Sequence, residues 1–182
     1  MCSALHPLAE SGEQARFSQG LRIWRATAIE PLRIIKTRPQ LTALIPITVP
    51  REEIRKVMGP GLAELKAAIA AQNVAVTGPW FTHHVRNPGE VFDFEICLPV
   101  ATAVAPVNRV KPGQWSAMNI VQTTYHGGYE GLGGAWGEFI AMIKAAGHTT
   151  VDGLYEAYAV GPEVSADPTT WRTVLSEELV EV

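Results

Sequence analysis

Two stretches of this chain read as copies of one another. Ala70-Ala71 followed by Val76, Gly78 and Trp80 lines up, at a constant offset, with Ala145-Ala146 followed by Val151, Gly153 and Tyr155. Each copy sits at the end of a helix-forming segment, and each is followed by two strand-like runs. Few folds accommodate that pattern. Two such halves share one sheet and place both helices on the same face of it. The other face then forms a groove at the pseudo-two-fold axis, where binding sites tend to lie.

The runs themselves give the order β-α-β-β twice. Pro31–Val49 is rich in β-branched residues and leucine and reads as one long strand, bent or bulged at Pro39. Pro50 with Glu52 and Glu53 is a helix start, because proline suits the first turn and acids suit the positive end of the helix dipole. A short helix over Arg51–Met58 is expected to stop at Gly59-Pro60-Gly61. A second follows from Pro60 to Ala71, with Leu62, Leu65 and Ile69 on one face. Val74–Val85 and Val91–Leu98 read as a hairpin about Asn87-Pro88-Gly89. Pro99–Pro112 is a crossover loop and Gln114–Tyr125 a strand. Tyr129–Ala146 is a helix burying Leu132, Trp136, Phe139 and Ile143, with Gly147 past its end. Thr149–Val160 and Trp171–Val180 close the chain. Residues 1–27 are an N-terminal extension with one short helix around Gly12–Gly20, and 28–182 form a single α+β domain, its halves dividing at about residue 107.

Composition narrows the function. The 182 residues are 47% hydrophobic and 18% charged, with a formal net charge of -3. Lys and Arg are too thinly spread for the basic stripe that nucleic acid requires. No apolar run approaches the roughly 20 residues of a membrane span. The N-terminus lacks the basic and apolar segments of a secretory signal, and Cys2 and Cys97 form no metal or redox pattern. The expectation is a cytoplasmic protein with free thiols and no cofactor.

Val151–Pro162 places one carboxylate, Glu156, in an apolar and aromatic strand. A buried, unpaired carboxylate is expensive, so a pocket that holds one must use its charge. The repeat offset sets Phe81 opposite Glu156 and His83 opposite Tyr158, four residues on one sheet face. Trp80 and Phe81 cannot both line that face, and Phe81 is the one in phase with Glu156. Tyr125 and Trp115 complete the candidate wall, with Tyr125 and Tyr158 able to donate hydrogen bonds. His83-His84 is not a metal grip, since neighbours in a strand point opposite ways. Asp93 and Glu95 read as a solvated outer face; if that face instead lines the groove, Glu95 joins the site. The glycines at 127, 128, 131, 133 and 134 match no phosphate loop.

In this order the segments resemble the GyrI-like small-molecule-binding domains, which also serve as effector domains of multidrug-sensing MerR-type and Rob-like AraC-type regulators. Val49-Pro-Arg-Glu-Glu-Ile54, Gly78-Pro79-Trp80-Phe81, His126-Gly-Gly-Tyr129-Glu130, Tyr155-Glu156-Ala157-Tyr158 and Asp167-Pro168 with Trp171-Arg172-Thr173 are similar to that family's sequential motifs and cover residues 28–182. The resemblance implies a tandem βαββ fold and a groove for an organic molecule, often cationic or aromatic, with Glu156 as the groove acid. Phe81, His83, Trp115, Tyr125 and Tyr158 are expected to wall it. It also implies two alternatives. One is a hydrolase of reactive, cyclopropane-type electrophiles, in which Glu156 activates water and Tyr158 supplies a proton. The other is a module that docks on a protein partner such as gyrase.

Overall fold

The computed structural model describes residues 28–180. The helix expected around Gly12–Gly20 lies outside them. The fold is α+β, with one eight-stranded antiparallel sheet and two helices. Strands β1 (Arg33–Lys36) and β2 (Gln40–Pro50) are the two parts of the expected long strand, broken at Thr37–Pro39. Helix α1 (Ile54–Ala71) follows a 3-10 turn, and then come β3 (Phe81–His84) and β4 (Val91–Pro99). The second half repeats this order with β5 (Lys111–Trp115), β6 (Asn119–His126), α2 (Leu132–Ala145), β7 (Leu154–Val160) and β8 (Arg172–Glu178). Among the described residues no helix is long and apolar enough to cross a membrane.

The order across the sheet is β1-β6-β8-β7-β3-β4-β2-β5. Its two ends are successive segments of the same two stretches of chain, 33–50 and 111–126. Arg33 faces Gln122 in the β1–β6 ladder and Leu44 faces Lys111 in the β2–β5 ladder, in one unbroken register. The gap between them is bridged at Thr37, whose N–H donates to the Met118 carbonyl at 2.9 Å and whose hydroxyl accepts from the Met118 N–H at 3.0 Å. The sheet is therefore strongly curled. Curling leaves the long first strands of the two halves paired with each other instead of standing as bare edges.

Gly59-Pro60-Gly61 does not end the first helix. Pro60 sits inside α1, on its exposed side. A proline there costs one helix hydrogen bond, but continuity lets Leu65 and Ile69 bury on Ile45, Ile47, Phe94 and Ile96. Gly61 faces the sheet. A Cβ there would lie 2.7 Å from Ile96 Cδ1 and 3.3 Å from Ile47 Cδ1, so the missing side chain permits the close approach. Helix α2 buries Ala135, Phe139 and Ile143 on Val121, Tyr125 and Leu175. Full burial of a side chain such as Phe139 is worth about 2–3 kcal/mol.

Pairing of β3 with β7 joins the halves a second time, with Phe81 opposite Ala157, Thr82 opposite Glu156 and His84 opposite Leu154. This corrects the expected match of Phe81 with Glu156 and of His83 with Tyr158. The buried helix residues explain the difference. The step from Gly61, Leu65 and Ile69 to Ala135, Phe139 and Ile143 is one residue shorter than the step that aligns Ala70 with Ala145. In a strand, a shift of one residue exchanges the faces.

Candidate functional site

The sheet thus divides the expected site residues in two. Glu156, Tyr158 and Tyr125 point toward the helices, together with Trp80, Thr82 and His84. Phe81, His83 and Trp115 meet on the opposite face, joined there by Tyr155 and Glu95. On that face the His83 ring stacks on Tyr155 with centroids 4.8 Å apart and meets Trp115 edge-on at 4.7 Å, while Phe81 lies 5.6 Å from Trp115. His83 Nδ1 is 3.1 Å from Glu95 Oε2, so Glu95 serves a partner and is not simply a solvated acid. Trp115 reaches these strands because the sheet is curled. It packs on the cluster and so fills the middle of that face.

The helix side holds the acid. Glu156 is 9% exposed, and its carboxylate accepts two short hydrogen bonds. Trp136 Nε1, from α2, donates to Oε1 at 2.6 Å, and the Tyr158 hydroxyl donates to Oε2 at 2.6 Å. Burial pushes the Glu156 carboxyl above its ordinary value, and these two bonds pull it back only in part. The same burial, with the adjacent carboxylate, pushes the Tyr158 phenol well above 10. When ionised, the carboxylate is hydrogen-bonded but has no cationic partner among the ion pairs of the described residues.

Aromatic rings wall this acid. Trp80 stacks on Tyr158 with centroids 3.9 Å apart and planes 18° from parallel. Tyr129, in the turn before α2, meets Tyr158 edge-on at 5.7 Å and lies 4.7 Å from Trp171. Trp80 Nε1 donates to Glu163 Oε1 at 2.7 Å, which pins the loop after β7 over the stack. Two hydroxyls here find no hydrogen-bond partner among the described residues, the Tyr129 phenol and Thr173 Oγ1. Thr173 is fully buried and pairs with Tyr158 across β7–β8. A cavity of about 410 Å³ opens at the Trp80–Tyr158 stack, lined by those two rings with Gly78, Ile69, Lys66 and Glu163 among others; Glu156 stands behind Tyr158 and does not line it.

Tyr125 does not join this wall. Its hydroxyl donates to the Gly128 carbonyl at 2.9 Å and fits between Gly127 and Gly131, holding the turn that leads into α2. Two glycines of the run, Gly127 and Gly131, are thus required by one buried tyrosine, while a Cβ at Gly133 or Gly134 would meet nothing within 4 Å. Trp80 and Trp136 are the partners that sequence reasoning set aside or assigned to the core. Trp80 was legible as the residue whose face alternates with Phe81. Trp136 was legible only as one of the apolar positions of α2. His83 and His84 face opposite ways as expected, and the described residues contain no cluster of three or more His, Cys, Asp or Glu able to hold a metal.

Comparison with known proteins places the fold. The chain matches no protein-family model and no curated sequence. It is similar to the C-terminal domain of EcmrR, with a TM-score of 0.73 at 18% identity over 84% of this chain and 98% of that one. Against EcmrR in its complex with DNA the TM-score is again 0.73, and this chain spans 60% of that chain's length. SAV2435, in a structure bound to tetraphenylphosphonium, superposes with a TM-score of 0.59 at 10% identity, covering 83% of this chain and 94% of that one. A hydrolase from Listeria innocua gives 0.56 at 11% identity, covering 82% and 91%. At these identities the likeness is one of fold.

Proposed function

We propose that this protein binds an organic cation with aromatic character, with Glu156 as the counter-charge and Trp80, Tyr129, Trp136 and Tyr158 as the walls. One observation carries the reading. A buried carboxylate is held by two neutral donors and no cation, and one of those donors, Tyr158, lines a cavity, in a setting where an unneutralised charge is costly. A ligand that brings a positive charge removes that cost, and ring faces add cation–π attraction of about 0.5–2 kcal/mol each. The fold shared with EcmrR and with tetraphenylphosphonium-bound SAV2435 supports the same reading. Sequestration or sensing of such a compound is the role that follows.

Titration calorimetry with tetraphenylphosphonium tests it. The Glu156→Gln variant keeps the shape and loses the charge, and it should bind at least about tenfold more weakly, since breaking a buried charge pair costs several kcal/mol. Equal affinity for the two chains would remove Glu156 from the site.

A second reading, hydrolysis of an electrophile, draws on the raised carboxyl and the phenol 2.6 Å away, and on the fold shared with a named hydrolase. A phenol held well above 10 is a weak proton donor, which favours binding over catalysis. Incubation with an electrophilic ligand followed by mass analysis separates the two. A binder returns the compound unchanged, and a hydrolase returns it with water added.

A further inference from the structure

A second carboxylate stands at the same rings. Glu163 holds the Trp80 N–H at 2.7 Å, while Glu156 holds the Tyr158 hydroxyl at 2.6 Å, and those two rings are stacked 3.9 Å apart. The acids therefore occupy the polar ends of one stacked pair, Glu156 buried and Glu163 at the exposed rim. Both lie near Tyr129, whose phenol is raised to about 12 by burial, then by Glu163 and then by Glu156. A Cβ built at Gly161 would sit 2.8 Å from the Tyr129 hydroxyl and 2.8 Å from Glu163 Oε2, so glycine keeps that gap open.

No ion pair of the described residues involves either acid. Lys66 is the one cationic residue lining the cavity, and it is exposed on α1. The fully buried Thr173 Oγ1 and the Tyr129 hydroxyl, both without partners among the described residues, flank the same rings. Two unneutralised carboxylates, a cavity and two orphan hydroxyls gather around one aromatic stack.

We propose that the site selects ligands with two positive centres on one flat aromatic frame, one centre facing Glu156 and the other facing Glu163. The inference rests on the binding role given above to Glu156. It adds a rim residue that discriminates dications from monocations. Glu163 is exposed, so its effect is modest and fades with salt.

A matched pair of probes tests this, N-methyl-4,4′-bipyridinium with one charge and N,N′-dimethyl-4,4′-bipyridinium with two. Calorimetry at low salt should show the dication binding about fivefold tighter or more, a preference that shrinks in 0.5 M salt. Glu163→Gln still accepts from Trp80 but carries no charge. It should bring the dication down to the monocation's affinity and leave the monocation where it was. Glu52→Gln removes the same charge from an exposed site before α1 and should leave the preference intact. A preference that is absent in the native chain, or that survives Glu163→Gln, overturns the proposal, as does failure of both probes at millimolar concentration while tetraphenylphosphonium binds. If Glu156→Gln leaves every affinity unchanged, the binding role itself is wrong, whatever the ratio of the two probes.

Discussion

Glu156 and Tyr158, two positions apart on β7, share one hydrogen bond of 2.6 Å under α2. Neighbours at that spacing lie on the same face of a strand, so the acid carries its own donor in the sequence. The second donor, Trp136, comes from twenty residues away. Local sequence thus supplies half of the carboxylate's solvation, and tertiary packing supplies the rest.

Stability should respond to Glu156 in one direction. Its folded value lies above the ordinary 4.5, so the folded chain keeps a proton that the unfolded chain has released. That contribution is complete below pH 4.5 and is lost as pH rises through the folded value. Glu156→Gln has no such loss. It should melt several degrees above the native chain at pH 8, with the two curves converging near pH 4, as followed by circular dichroism. A lower melting point at pH 8 would show that the carboxylate is stabilised by more than its two donors.

His84 should act in the opposite direction. It is 3% exposed, stacked on Phe94 at 5.3 Å, and its Nδ1 finds no partner among the described residues. Burial, then the nearby His83, lowers it from 6.5 to about 4. The unfolded chain takes up a proton below pH 6.5 that the folded chain refuses until about pH 4. Stability is therefore lost as pH falls across that window, by up to about 3 kcal/mol. His84→Leu is close in volume and cannot titrate, and urea unfolding at pH 7 and pH 4.5 should show the acid-side loss reduced by most of that amount.

Trp136→Phe keeps most of the ring and removes the donor to Glu156. Hydrogen bonds to charged groups are worth about 1.5–3 kcal/mol. Because the bond serves the ionised form, the cost should be larger at pH 8 than at pH 4. A cost independent of pH would assign it to packing alone.

Tyr125→Phe removes the bond to Gly128 and should cost about 1 kcal/mol. It should leave tetraphenylphosphonium affinity within about twofold, since the hydroxyl faces the glycine turn and not the cavity. A larger loss would return Tyr125 to the ligand wall, where sequence reasoning had put it.

Gly153→Ala tests how β7 is aimed. Gly153 has φ +104, and a Cβ there would lie 2.8 Å from the His84 carbonyl oxygen, a backbone atom with no room to yield. The substitution should cost about 2 kcal/mol or more. It should also weaken ligand binding, because the residue immediately precedes the strand that carries Glu156.

The elements themselves were legible. Strand runs, helix faces and the order β-α-β-β twice follow from periodicity, and periodicity reports local geometry. Less legible was the continuity of α1 through Pro60. That depends on what Leu65 and Ile69 gain by burial on β2 and β4, a term no window of sequence contains. The division of Gln114–Tyr125 into β5 and β6 likewise reflects the curl of the sheet and not a strong breaker at Ser116–Met118.

Sequence by itself determined that one carboxylate would sit in an aromatic strand and that Leu154, Glu156 and Tyr158 would share a face, because a strand alternates with a period of two. It could not say which residues of the other half share that face. That choice is a matter of register between β3 and β7, set by how α1 and α2 seat on the sheet, and a shift of one residue put Thr82 in place of Phe81 opposite the acid and brought Trp80 onto the acid's face, stacked on Tyr158. The wall of the site was decided by packing between distant segments, which only the folded chain brings within reach of one another.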